Sequence, residues 1–245
     1  MLGHVTATAY WRPSTIAQAL ELLERPRAVV LAGGTQLNGR GPGSEAVEVV
    51  DLQALGLDHI EPESGGSLRI GAMTTLQRLV DSDDAPEVVR EAARRELPST
   101  LRAQATIGGC IATGDAESEL LGALLVHEAV VHIGASDGSE AVPLEDLLAD
   151  LPIGAGHVAT AVTIRTAGVA AAVHTARTPA DRAIVAAFAR VTDGGRRIAL
   201  TGVAPTPILV QPGDDLDPIG DFRGSREYRL ALAGVLLERV VEAIA

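Results

Sequence analysis

What most constrains this chain is a short apolar run that breaks off into two adjacent glycines. Ala28-Val29-Val30-Leu31-Ala32 leads directly into Gly33, Gly34 and Thr35. A run of that length and composition predicts a buried strand. Paired glycines at its end let the backbone turn sharply and approach a bound molecule closely, because no Cβ intervenes. Successive N–H groups in such a turn form a concave anion site, to which the Thr35 hydroxyl adds a donor. Thr106, Ile107, Gly108, Gly109 and Cys110, with Thr113 three residues on, offer the same groups a second time. Two such loops suit the two phosphates of a dinucleotide, although paired glycines after strands commonly do no more than turn the chain. Neither segment has the G-x-G-x-x-G spacing of a Rossmann fingerprint.

Composition narrows the chemistry. The 245 residues carry a formal net charge of −12, and every basic residue is arginine. Without lysine there is no Walker-type phosphate loop, Schiff base or lysine general base. Phosphates would then be held by neutral backbone dipoles. The five aromatics and the absence of a basic segment argue against a nucleic-acid platform. Cys110 is the only cysteine, too few for a cysteine-ligated iron–sulfur cluster. None of the six histidines pairs at i, i+4, so no metal site is expected. No apolar run reaches the ~18 residues of a membrane span, and no leader pattern opens the chain. The expectation is a cytoplasmic protein with no membrane segment.

Along the chain, Ile16, Leu20 and Leu23 mark a helix face that Ser14 is placed to cap, and residues 47–52 read as a second strand. Pro62, Gly65 and Gly66 make residues 61–67 a turn-rich linker and a candidate boundary. A strand follows at 68–73. Thr74 and Thr75 cap the next helix, and a further helix starts at Pro86 and stops before Pro98. Residues 106–114 read as irregular, 120–126 as a short helix, 130–133 as a strand, 143–148 as a short helix and 157–165 as a strand. Beyond 165 the texture changes to short strands at 169–174, 183–191 and 198–203. A long helix then carries a stripe of Leu232, Val235, Leu236 and Val240. Strands followed by a covering helix indicate an α+β class.

These segments together resemble the FAD-binding medium subunit of the molybdenum hydroxylases, the family of xanthine and carbon monoxide dehydrogenase flavoproteins. Ala32 to Leu37 matches the family's A-G-G-T-x-L, and Thr106 to Ala112 matches T-I-G-G-[NDS]-x-A. Between them, Ile70-Gly71-Ala72-Met73-Thr74-Thr75-Leu76 matches I-G-A-x-T-T-L. Later, Ala176-Arg177 with Asp181-Arg182-Ala183-Ile184-Val185 resembles A-R-R…D-x-A-I-V. Residues 202–207 resemble G-x-A-P-x-P, and Gly224, Ser225, Tyr228 and Arg229 resemble G-S-x-x-Y-R. The likeness spans nearly the whole chain.

The resemblance implies a two-subdomain FAD-binding fold of the vanillyl-alcohol-oxidase (PCMH) type, plus a C-terminal antiparallel sheet with helices. Residues 1–165 would be the FAD-binding domain, with subdomains at about 1–62 and 63–165, and 166–245 the C-terminal domain. By motif position Val30, Leu31, Ala32, Gly33, Gly34, Thr35, Gln36 and Leu37 would bind the FAD pyrophosphate. Thr106, Ile107, Gly108, Gly109, Cys110 and Thr113 would do so from the other side. Glu119 stands where the family often has an Asp that bonds ribityl or ribose hydroxyls. Cys110 replaces the usual Asn, Asp or Ser. Asp115 and Glu117 add carboxylates near a polyanion, which would weaken binding unless they point to water.

The function implied is electron transfer from the iron–sulfur clusters of a partner subunit, through FAD, to NAD or another acceptor, beside a molybdopterin subunit. Two alternatives are a stand-alone FAD oxidoreductase and a non-catalytic binding or assembly module that keeps the fold.

Overall fold

A computed structural model describes residues 6–37, 46–178, 181–211 and 213–245. The first sheet is wholly parallel. Strand β1 (Ala7–Trp11) is followed by helix α1 (Ile16–Leu23), β2 (Ala28–Leu31) and β3 (Val47–Asp51), in the order β1-β3-β2. Thr15 caps α1, its hydroxyl accepting the Gln18 N–H. Ser14, expected in that role, bonds the Gln18 side chain instead. Ala19, Leu20 and Leu23 of α1 bury against Val50, Leu52, Leu57 and Met73.

The second sheet is antiparallel, in the order β4-β5-β8-β6-β7. Its strands are β4 (Ile60–Glu63), β5 (Ser67–Gly71), β6 (Val130–Ala135), β7 (Gly138–Pro143) and β8 (Val158–Arg165). The expected linker at 61–67 is a tight hairpin. Gly65 and Gly66 turn it at φ of +77° and +71°, a region that side chains rarely enter. Because β4 pairs with β5, the first two sheets part between Asp51 and Ile60.

Helices α2 (Leu76–Val80), α3 (Glu87–Glu96), α4 (Ser99–Arg102), α5 (Ile107–Thr113) and α6 (Glu119–Val126) lie between β5 and β6 in the chain, and α7 (Leu144–Ala149) lies between β7 and β8. Every residue of α6 is buried. The reason is the third sheet: β9 (Val169–Thr175), β10 (Val185–Thr192), β11 (Gly195–Thr201) and β12 (Ile208–Leu209), antiparallel in the order β12-β11-β10-β9. Along β10 the side chains alternate. Ala186 and Phe188 join the core of α6, whereas Val185, Ala187 and Ala189 join that of α8 (Arg226–Ala243). Gly122 admits this packing, since a Cβ there would stand 2.6 Å from the Phe188 ring.

Two buried arginines lock the third sheet to the rest. Arg190 donates to the carbonyls of Ala167 (2.7 Å) and Val126 (3.1 Å) and to Glu128 (2.7 Å). Arg229 donates to the carbonyls of Ile184 (2.8 Å) and Gly202 (3.1 Å), and pairs with Glu117 (2.8 Å) and Asp221 (2.9 Å). The buried stripe of α8 is therefore Arg229, Ala233, Leu236 and Val240. Val235, expected on it, is 45% exposed.

Candidate cofactor site

The first glycine segment leaves β2 and turns at Gly34, whose φ is +71°. Gly33 is fixed by packing, because a Cβ there would collide with the Gln104 carbonyl oxygen. That contact brings the first segment against the residues leading into the second. Among the described residues, the N–H groups of Gly33, Gly34, Thr35 and Gln36 make no backbone hydrogen bond. Among those residues four donors in succession are thus without a backbone partner at a half-buried turn, an arrangement that suits an anion.

The second segment folds otherwise. Residues 107–113, expected as irregular, form α5. Thr106 caps it by accepting the Gly109 N–H (3.2 Å), and Gly114 ends it in the left-handed conformation at φ +58°. Burial of Ile107 and Ile111 on one face outweighs the poor helix propensity of two glycines. The N–H groups of this loop are already engaged. Ile107 donates to Thr74 O (3.0 Å), Gly108 to Ala72 O (2.9 Å) and Cys110 to Thr106 O (3.1 Å). The strap at 72–76 holds the loop, with Leu76 N–H on Ala105 O (2.9 Å) completing the stitching. A Cβ at Gly108 would meet Ala72 at 2.8 Å, whereas one at Gly109 would meet only the Thr106 hydroxyl, at 3.2 Å.

Between these segments lies a cavity of about 830 Å³, at the upper end of the ~300–1,000 Å³ of ligand pockets. Of the residues expected to bind, Val30, Ala32, Gly33, Gly34, Thr35, Gln36, Leu37, Thr106, Gly108, Gly109, Cys110 and Thr113 line it. Leu31, Ile107 and Glu119 do not. Ile107 is wholly buried in the core. Glu119 is held by Arg95, whose Nε lies 3.2 and 3.1 Å from its two oxygens, with His174 Nδ1 at 3.9 Å.

Six further charged or polar side chains that the motifs did not single out as ligands wall the cavity: Glu24, Arg25, Glu96, Asp115, His157 and Arg182. Arg182 belongs to the D-R-A-I-V stretch, so a signal for it was present. The neighbouring Arg177 is exposed and pairs with Asp181 (3.6 Å). Glu96 is buried and accepts the Leu120 N–H at the start of α6 (3.0 Å). Burial pushes its carboxyl up to about 7, with the Leu120 N–H, Arg182 and the Ser118 hydroxyl pulling the other way. Burial also raises Asp115, but the Arg182 hydrogen bond and charge outweigh it and hold the carboxyl below its ordinary value. Burial, with Glu96 nearby, pushes the Cys110 thiol well up, so it stays neutral. The extra carboxylates are neutralised by arginines rather than turned to water: Asp115 by Arg182 (3.1 Å), and Glu117 by Arg223 and Arg229.

Open amides on one wall, a sheltered cavity and wall residues from all three sheet regions define a nucleotide-cofactor-binding protein. Residues 5–165 match the family described as the FAD binding domain in molybdopterin dehydrogenase. The carbon monoxide dehydrogenase medium chain of Afipia carboxidovorans is 30% identical over 95% of both chains. The uncharacterized protein YgfM of Escherichia coli (strain K12) is 34% identical over 93% of both. Reconstituted CO dehydrogenase from Oligotropha carboxidovorans superposes with a TM-score of 0.85 at 30% identity, covering 100% of each chain. Quinoline 2-oxidoreductase from Pseudomonas putida 86 gives 0.83 at 26% identity, covering 96% of each.

The chain belongs to the family of FAD-binding domains of molybdopterin dehydrogenases, with FAD as its cofactor and the PCMH-type fold. It is an oxidoreductase subunit of the molybdenum hydroxylase class.

Proposed function

We propose that this chain is the electron-transfer subunit of a molybdopterin-dependent hydroxylase or dehydrogenase. It would take electrons from the iron–sulfur clusters of a partner subunit and pass them, through FAD, to NAD or another acceptor. The observation that carries this reading is the row of amides at Gly33 to Gln36, without backbone partners among the described residues, in the lining of a cavity large enough for a dinucleotide. When bound, FAD supplies reversible electron uptake, and the protein supplies position and electrostatics. The open amides and the Thr35 hydroxyl would hold the pyrophosphate without any lysine. Thr106, Gly108, Gly109, Cys110 and Thr113 would shape the opposite wall, with Gly109 keeping space clear for the cofactor. Glu119 lies outside that wall in its bond with Arg95.

A single cysteine cannot ligate a cluster, so clusters would come from a partner, as would the molybdopterin. We propose the division into three parts in outline, with 166–245 as the third, and move the first boundary from residue 62, which falls inside β4, to the stretch between Asp51 and Ile60. Among the described residues no helix is long and apolar enough to cross a membrane, and a cytoplasmic complex is the working placement.

The test is to purify the tagged full chain from its source cells and assay flavin, iron and molybdenum. All three are expected together, and NADH should bleach the flavin if NAD is the acceptor. Flavin without iron or molybdenum would contradict the partnership and favour a stand-alone oxidoreductase. A protein with no flavin that FAD cannot restore would contradict the cofactor role.

A further inference from the structure

Arg95 and Glu96 are neighbours at the end of α3, and each meets the start of α6 differently. Arg95 draws Glu119 into a bidentate contact, and Glu119 is only 3% exposed. Glu96 takes the backbone N–H of the next residue, Leu120, through Oε2 (3.0 Å) and forms part of the cavity wall. The carboxylate at the motif position is thus turned away, and one from a different helix stands at the cavity. Oε1 of Glu96 has no charged partner at hydrogen-bond distance. The nearest cation, Arg182 Nη2, is 3.9 Å away, and Arg182 Nη1 is already bonded to Asp115 (3.1 Å).

We infer that Glu96, not Glu119, is the acid this chain presents to its cofactor, and that it does so as the neutral carboxylic acid, taking up a proton from solvent as FAD enters. The inference rests on the FAD reading above. It follows from a count of charge around Glu96 from each element that faces it. From the turn before α6 comes Asp115; from α6 itself come the Leu120 N–H and, at its cap, the Ser118 hydroxyl. From α5 comes the neutral Cys110 thiol, and from the segment before β10 comes Arg182. On α3 itself, Arg95 is committed to Glu119, with His174 of β9 beyond.

Glu96 thus faces one cation, Arg182, which is already bonded to Asp115, whereas Asp115 has the charge of Arg223 as well. A pyrophosphate entering the same cavity adds negative charge, and like charge favours the protonated form of whichever acid is less firmly held. Asp115 is fixed as a carboxylate by its direct bond to Arg182, so the proton falls to Glu96. Its elevated proton affinity agrees with this. A neutral carboxyl keeps the Leu120 N–H on its carbonyl oxygen. It also gains an O–H donor for a carbonyl or hydroxyl oxygen of the cofactor.

The experiment is a titration of the full chain with FAD, followed by flavin fluorescence, from about pH 6 to about pH 9. Wild type, Glu96→Gln and Glu119→Gln are compared. Wild-type Kd is expected to rise above about pH 7, by up to about tenfold per pH unit. Glu96→Gln mimics the neutral acid and keeps the acceptor for Leu120. It should give a flat profile and, near about pH 8.5, bind at least about tenfold more tightly than wild type. Glu119→Gln should keep the wild-type slope. Calorimetry of the wild type in buffers of different ionisation enthalpy needs no variant, and should show proton uptake on binding in the alkaline range. Equal slopes for wild type and Glu96→Gln, affinity that rises with pH, or no proton uptake would overturn the inference and leave the FAD reading intact. Absence of FAD binding by wild type at every pH would overturn the FAD reading and this inference with it.

Discussion

The two glycine segments share a composition but differ in what their backbones are free to do. In the first, Gly33 to Gln36 leave four successive N–H groups without backbone partners among the described residues. In the second, the N–H groups of Ile107, Gly108, Gly109 and Cys110 all have acceptors, and the glycines serve close packing on Ala72 and the start of α5. A Gly-Gly pair is thus permissive in two distinct ways. It allows a turn that exposes donors, or an approach that closes them. On the proposed reading the first segment would bind through backbone, and the second would contribute a shaped wall with side chains behind it.

The largest effect should come from Gly33→Ala. Its Cβ would strike a backbone carbonyl, which cannot rotate aside. Overpacking of this kind costs about 3 kcal/mol, or a Tm lower by roughly 6–12 °C for a chain of this size. An unchanged melting curve would mean that the first segment does not pack on Gln104 as described.

Gly109→Glu should separate stability from binding. Position 109 is the third residue of α5, so Thr106 and the new Glu would form a capping box, and Tm should hold or rise slightly. The side chain would enter the cavity with a negative charge, and FAD affinity should fall by about 100-fold, equivalent to ~2.7 kcal/mol. Retained affinity would show that the second segment does not face the cofactor.

A pH series sharpens the comparison at the closed side, because the groups that meet the two ends of α6, Glu96 of α3 and the cap residue His127, titrate in opposite senses. Glu96, at its start, has a folded pKa of about 7, above its unfolded value. Its contribution is full below about pH 4.5 and lost as pH rises towards about 7. His127, at its end, is lowered by burial to about 4. Its contribution is full above about pH 6.5 and lost as pH falls towards about 4. Between about pH 4.5 and 6.5 these opposed slopes largely cancel, so Glu96→Gln should unmask a loss of stability on acidification approaching 1.4 kcal/mol per pH unit. Denaturant titrations check this, and a wild-type slope as steep as the variant's would contradict it. The smallest effect is that of Gly34→Ala, where a left-handed φ costs about 1 kcal/mol. Matching melting curves would place that turn elsewhere in conformational space.

Strands whose apolar runs face a core, such as β3, β5 and β8, were legible from the sequence; β2 was legible as a strand but is not the buried one expected, since none of its residues is buried and Val30 is 38% exposed. Strand β1 was not legible, because its residues are mostly exposed and carry no alternation, and β7 is an exposed edge strand. Helix α5 was hidden by its glycines, although Ile107 and Ile111 at i, i+4 carried the signal. The first glycine segment was legible as a turn, and it lines the cavity. Glu96 was not legible, since whether a helix-terminal Glu is buried depends on α6 and Arg182, far away in the chain. Arg229 likewise joined the buried stripe of α8 only because Glu117, 112 residues earlier, meets it there.

Amide hydrogen exchange, read residue by residue on the full chain with and without FAD, tests the distinction most directly. The account predicts fast exchange at Gly33, Gly34, Thr35 and Gln36 without FAD and strong protection with it, while Gly108 and Gly109 are protected in both states. No gain in protection at Gly33 to Gln36 on FAD binding, or a gain confined to Gly108 and Gly109, would contradict it.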